Sequence, residues 1–178
     1  ITRENYQDIV RPLPASSLLF VGRAVDRVLT ELGINTIGAL ATFEQIRTHP
    51  LVVIGAPALV QAAASVGCQQ TRNRGTLGGN LGNASPAGDS LPPFLVHQAV
   101  LSLSSLKSER RIALDEFLLG PGKTALQPGE IIHQVEIETL TQRAGSILLK
   151  LGNRQGMAVS VASVAVYFAF ERQGSVSQ

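Results

Sequence analysis

Apolar residues recur at helical spacing through the first part of the chain and nearer to alternation through the last part. Residues 24–32 put Val25, Val28, Leu29 and Leu32 on one helical face, and Gly33 follows as a helix-ending residue would. Upstream, Ser16 and Ser17 are placed to cap a short turn, and Val21-Gly22-Arg23 makes a break. Thr42 is placed to cap a helix over 43–47, which Pro50 stops. Residues 58–66 predict a further helix, with Pro57 at its start and Gly67 at its end. Residues 91–98 make another, begun by Pro92 and Pro93.

The period then changes. Residues 99–106 and 110–114 predict two strands around a Lys107-Ser108-Glu109 turn. Residues 131–137, 146–151 and 159–170 predict further strands, the last apolar on both faces as a central strand would be. Helices early and strands late predict an α+β fold. It consists of a helical N-terminal segment followed by a mainly antiparallel sheet with flanking helices.

Residues 72–93 obey neither period. Gly75, Gly78, Gly79 and Gly82 fall within eight positions, interleaved with Thr76, Asn80, Asn83 and Ser85. Glycine lets backbone approach a ligand closely, and Thr and Asn add short directional hydrogen bonds. Such a stretch builds little core. It reads as a loop for a polar, phosphorylated ligand.

Composition narrows the function classes. A chain of 178 residues with 44% hydrophobic content fills one ordinary domain or two small lobes. A net charge of +2 supplies no strong electrostatic case for nucleic acid or an anionic membrane. The single cysteine, Cys68, excludes an internal disulfide framework and an all-thiolate metal site. No apolar run reaches spanning length, and residues 3–11 do not read as a signal peptide. The first residue, Ile1, and the polar stretch 173–178 give the impression of a piece of a longer protein.

The run Arg-Asn-x-Gly-Thr-Leu-Gly-Gly-Asn-Leu-x-Asn-Ala-Ser-Pro-x-x-Asp, beginning at Arg72, resembles the flavin-wrapping loop in FAD-binding (medium) subunits of molybdenum hydroxylases. These include xanthine dehydrogenases and carbon monoxide dehydrogenases. The likeness extends, in order, to 36–42 and 62–67 upstream and to 117–124, 128–132 and 149–154 downstream. It implies a PCMH-like FAD-binding fold over about 36–170. It also implies a cytoplasmic flavoprotein subunit of an oxidoreductase, with no membrane attachment. Molybdopterin and iron–sulfur clusters would sit only on partner subunits, a molybdenum-binding large subunit and an iron–sulfur small subunit. Electrons would leave the flavin to NAD or another acceptor.

The resemblance also implies site residues. Thr76, Gly78, Gly79, Asn80, Asn83 and Ser85 would line the FAD pyrophosphate and ribityl chain, and Asp89 would accept from ribityl or adenylate hydroxyls. Ile132 would pack on the isoalloxazine edge, although a plain core role fits equally well. Lys150 would lie near the flavin, where a cation stabilises the reduced anionic ring; its spacing fits an ordinary exposed strand lysine as well. Gly82 stands where the family often has Ala. No side chain reads as a catalytic acid, base or nucleophile, and no metal ligand set is apparent.

The first part of the chain departs from the family, whose Ala-Gly-Gly-Thr-Asp-Leu loop does not appear, so the fold is expected to be incomplete and FAD binding weakened. Residues 5–40 instead resemble the helix-hairpin-helix of Y-family DNA polymerases. This implies a division into a helical segment, 1–35, and a partial FAD-binding domain, 36–178, in the manner of a chimera. A hairpin of that type holds DNA phosphate on backbone N–H groups, here at Val21-Gly22-Arg23. Residues 1–47 carry five arginines and five acidic residues, however, which leaves no surplus cations to release counterions from DNA. Packing is the better reading of this segment; DNA binding and an inactive truncated domain are the alternatives.

Three other features have plain explanations. Gly120-Pro121-Gly122-Lys123-Thr124 imitates the end of a P-loop, but Phe117 stands where the first glycine belongs and Pro128-Gly129 interrupt the helix that should follow. His49, His97 and His133 show no ligand spacing and read as surface or lightly buried. Cys68 reads as a buried small hydrophobe.

Overall fold

The computed structural model describes residues 42–140 and 143–170, together with the backbone of 176–177. The expected helices before Thr42, the Val21-Gly22-Arg23 hairpin and the 1–35 segment lie outside the described residues.

Helices come first: α1 (Phe43–Thr48), α2 (Pro50–Gly55), α3 (Pro57–Ser65), α4 (Gln69–Arg74), α5 (Leu77–Asn83) and α6 (Leu91–Val96). Strands β1 (Val100–Ser104) and β2 (Glu109–Ala113) follow, then a single turn α7 (Leu114–Phe117) and a small hairpin of β3 (Leu118–Gly120) and β4 (Lys123–Thr124). The chain ends in β5 (Ile131–Glu136), β6 (Ala144–Gly152), β7 (Ser160–Phe170) and β8 (Val176–Ser177). The α+β expectation is met.

Local chemistry explains most starts. Thr42 and Gln45 form a reciprocal capping box at α1. Pro50, Pro57 and Pro92 occupy first-turn positions of α2, α3 and α6, where a missing N–H is no loss. Pro50 thus ends one helix and begins the next, a role the expectation of a simple stop did not include.

Two three-stranded antiparallel sheets form, in the orders β2-β1-β5 and β6-β7-β8. The main core joins the helices to the first sheet through Phe43, Leu59, Leu77, Leu81, Phe94, Leu101, Leu103, Leu114 and Phe117. Burying each of the larger of these side chains contributes roughly 1.5–3 kcal/mol. A smaller cluster of Ala58, Ala62 and Leu148, with Ala165 against it, packs α3 on the second sheet. Alanines on this face of α3 let the sheet approach closely.

Strand β7 is central in its sheet, as its apolar sequence predicts, but its burial differs from expectation. Val161, Val164, Val166 and Phe170 are exposed, as are Ile147, Leu149 and Leu151 on β6. Cross-strand pairs Ile147–Val166 and Leu149–Val164 share one face. The opposite face, carrying Ser146, Leu148, Lys150 and Ala165, turns toward the helices. Among the described residues, nothing covers the outer face.

Candidate functional site

The glycine-rich stretch is a helix rather than the expected loop. Thr76 caps it, its Oγ1 accepting from Gly79 N at 3.0 Å, and α5 runs over Leu77–Asn83 until Ala84 ends it in the left-handed region at φ 43°. Leu77 and Leu81 are buried and anchor its inner side. The glycines serve close approach: a Cβ on Gly78 would lie 3.4 Å from the Ile132 carbonyl oxygen on β5. A helix carrying three glycines is intrinsically poor, each costing about 1 kcal/mol relative to alanine. Cap and packing offset that cost. The outward side of α5 is correspondingly bare, with Gly79 and Asn83 exposed.

The segment after α5 folds back on it. Ser85 closes a turn, its carbonyl accepting from Gly88 N at 2.8 Å and its Oγ from Ala87 N at 3.3 Å. Buried Ser90 donates its hydroxyl to Asn80 Oδ1 at 2.6 Å. The β3–β4 hairpin presses on the same corner, Gly122 N donating to Ala84 O at 2.9 Å. That corner is where the P-loop imitation lies, so its Gly-Pro-Gly turn is a connection, as the failed motif implied.

Asp89 turns the other way, toward the second sheet. Lys150 Nζ on β6 lies 2.6 Å from Asp89 Oδ2 and also donates to Ser65 O at 3.3 Å. Ser160, at the start of β7, donates to Asp89 Oδ1 at 2.6 Å. Lys150 is therefore no exposed strand lysine: 14% of its side chain is accessible, and 9% of that of Asp89. Ser90 and Asp89, adjacent in sequence, hold the glycine helix with one residue and the β6–β7 hairpin with the other.

Thr76, Gly78, Gly79, Asn80, Asn83 and Ser85 thus lie on or beside α5, Ile132 touches its inner side, and Asp89 pairs with Lys150. Ser160 and Ser90 were not singled out from sequence. No motif marks an isolated serine whose partner lies 71 residues away. Among the described residues no cluster of His, Cys, Asp and Glu can hold a metal ion.

The histidines and the cysteine sort differently from expectation. His49 and His133 are exposed, but His97 is 1% accessible. Its Nδ1 lies 2.7 Å from Glu138 O and its Nε2 2.9 Å from Ser146 Oγ. A carbonyl only accepts, so Nδ1 carries a proton, and in the neutral ring Nε2 then accepts from Ser146. With both nitrogens satisfied, burial carries no orphan penalty. Cys68 is half-buried rather than core: it stands at the start of α4, where a hydrogen bond with the Thr71 hydroxyl holds its thiol below the usual range.

A capped glycine helix, the carboxylate that follows it and a lysine from a separate sheet thus meet on an α+β frame. Residues 26–138 match the FAD-binding domain of molybdopterin dehydrogenases, and the chain belongs to that family. It is 39% identical over 128 residues, 70% of this chain and 43% of the relative, to the nicotinate dehydrogenase FAD-subunit of Eubacterium barkeri. It is 32% identical over 140 residues, 78% and 48% respectively, to the xanthine dehydrogenase FAD-binding subunit of Escherichia coli O157:H7. The fold is similar to a chain of carbon monoxide dehydrogenase from Hydrogenophaga pseudoflava, with a TM-score of 0.73 and 27% identity over 79% of this chain and 48% of that one. The chain spans about half the length of the curated relatives it matches.

The residues present fit FAD. Gly79 offers bare backbone at the exposed side of α5, and a Cβ there would come within 2.9 Å of Thr76 Oγ1. Hydroxyl and amide groups of Thr76, Asn80 and Asn83 belong to the same helix and its cap, and the Lys150 cation is held by Asp89, which follows the helix.

Proposed function

We propose that this chain is the FAD-holding part of a molybdenum-containing hydroxylase or dehydrogenase. It accepts electrons from iron–sulfur clusters on a small partner subunit, fed by molybdopterin on a large one, and passes them to NAD or another acceptor. Cytoplasmic assembly of that complex is part of the proposal, as is the division into a helical segment, 1–35, and a partial FAD-binding domain, 36–178. No helix among the described residues is long and apolar enough to cross a membrane.

The observation that carries the reading is that Ile132 and Lys150, distant in sequence, converge on the glycine helix and on the carboxylate that follows it. Flavin, when bound, supplies both hydride and single-electron chemistry. The chain's own residues bind and orient it. Gly78 and Gly79 let the backbone approach the pyrophosphate, while Thr76, Asn83 and Ser85 supply short polar contacts. Asn80, with its oxygen committed to Ser90, keeps its amide N–H groups for a ligand acceptor. Asp89 retains a lone pair on each oxygen for a sugar or ribityl hydroxyl. Ile132 offers an apolar edge to the ring, and Lys150 a cation that favours its reduced anionic form.

A fluorescence titration of FAD with the full chain tests this. Saturable binding that weakens at least tenfold in Asn80→Ala and Asp89→Ala supports the site. Absence of binding up to high micromolar FAD sinks it.

A further inference from the structure

The cation assigned to the flavin is already partnered. Lys150 and Asp89 are largely shielded from solvent and in direct contact, and the second carboxylate oxygen takes the Ser160 hydroxyl. Two strands of one hairpin therefore grip a single carboxylate, β6 through an ammonium and β7 through a hydroxyl. Screening by water is weak at such a place, so each charge strongly alters the field of the other. A hydroxyl donated to a carboxylate stabilises its negative charge and spreads it away from the opposite oxygen. Ser160 therefore governs how fully Asp89 cancels Lys150.

We propose that Ser160 is a positioning residue that acts through Asp89 to set the effective charge Lys150 presents to the flavin ring, an inference that rests on the flavin reading above. Reduction adds negative charge to the ring, so a more exposed cation raises the flavin midpoint potential and a better-cancelled one lowers it. The signs then separate the variants. Asp89→Asn removes the cancelling charge and raises the midpoint. Ser160→Ala leaves the carboxylate charge concentrated on Lys150 and lowers it. Ser160→Thr keeps the hydroxyl on a strand that favours β-branched residues and restores it.

The test has two arms, both on the full 178-residue chain. Without flavin, denaturant unfolding of Ser160→Ala, Asp89→Asn and the double variant gives a double-mutant cycle. Non-additive losses are expected, and strictly additive ones overturn the unit. With FAD bound, spectroelectrochemical titration compares midpoints across the parent, Ser160→Ala, Ser160→Thr and Asp89→Asn. Opposite shifts for Ser160→Ala and Asp89→Asn, with Ser160→Thr at the parent value, support the proposal. Unchanged midpoints overturn it while leaving the flavin reading standing, because a merely structural serine alters melting and affinity but not potential. If Ser160→Ala does not fold, Ser160→Cys, whose thiol is a weaker donor, takes its place: a midpoint below the parent's supports the proposal, and one at or above it overturns it. A parent chain that does not bind FAD overturns both readings.

Discussion

Thr42 and Thr76, each the N-cap of its own helix, pair with one another in an antiparallel β-bridge. Phe43 N donates to Gly75 O at 3.1 Å beside them, so α1 and the glycine helix α5 begin side by side. Thr76 thereby does two jobs: its backbone joins the helices, and its side chain satisfies Gly79 N. Thr76→Ala is expected to cost about 1 kcal/mol of unfolding free energy, and Thr76→Ser to recover most of it. Urea denaturation checks both; an Ala variant as stable as the parent removes the cap from the account.

His97 joins three elements. Its ring sits at the end of α6, Ser146 Oγ belongs to β6, and that same oxygen accepts from Ala58 N on α3 at 3.2 Å. Ser146→Ala leaves the Ala58 N–H and His97 Nε2 unsatisfied in the interior. A loss of about 1–3 kcal/mol is expected. Nitrogen-15 chemical shifts of the ring should report the Nδ1–H tautomer, and an Nε2–H tautomer would contradict the assigned network.

Stability should fall in acid for a specific reason. The pKa of Glu130 is lowered from the ordinary glutamate value chiefly because Arg110 donates to both of its oxygens, at 2.8 and 2.9 Å. Burial pushes Glu44 up, but hydrogen bonds and charge from Arg47 and Arg72 outweigh it, and its pKa is also lowered. A carboxyl with a lowered folded value contributes stability above its unfolded value and loses it as pH falls through the folded one. The loss should therefore begin near pH 4.5, the ordinary glutamate value, and continue below it. Thermal melts of Glu130→Gln across that range should show a shallower decline than the parent.

Neighbours on β6 should respond in opposite ways. Leu148 is 8% exposed and packs on Ala58 and Ala62, whereas Leu149 is 59% exposed on the outer face. Leu148→Ala is expected to cost about 2–5 kcal/mol. Leu149→Thr should stay within about 0.5 kcal/mol of the parent and reduce concentration-dependent light scattering, because a contiguous exposed apolar face favours association. Equal losses in the two variants would mean that the strand faces are assigned the wrong way round.

Short-range physics carried much of this protein in its sequence. The Thr42 cap, the proline starts at Pro57 and Pro92 and the alternation in β5 depend on residues a few positions apart. The sequence alone was enough to identify them, whereas the turn expected at Lys107-Ser108-Glu109 falls one residue earlier, because Glu109 already pairs with Ser104 in β2. The glycine run likewise announced close backbone approach, and its ordered agreement with distant segments pointed to the flavoprotein family. What the run approaches was not legible. Only the folded chain brought Ile132 under Gly78, and so made a helix of a stretch whose composition argues for a loop.

The same holds for the polar groups. Nothing around His97 distinguishes it from His49, and nothing around Lys150 marks it as a partner of Asp89. The Asp89 contacts with Lys150 and Ser160 span 61 and 71 residues, and their energies depend on solvent exclusion that exists only once both sheets have closed over the helices. The sequence by itself determined the elements, their capping and the chemistry available. The tertiary structure decided which charges meet, which face of β7 is left uncovered among the described residues and which serine reaches the Asp89 carboxylate. Those outcomes depend on distance and burial, which a linear pattern does not encode.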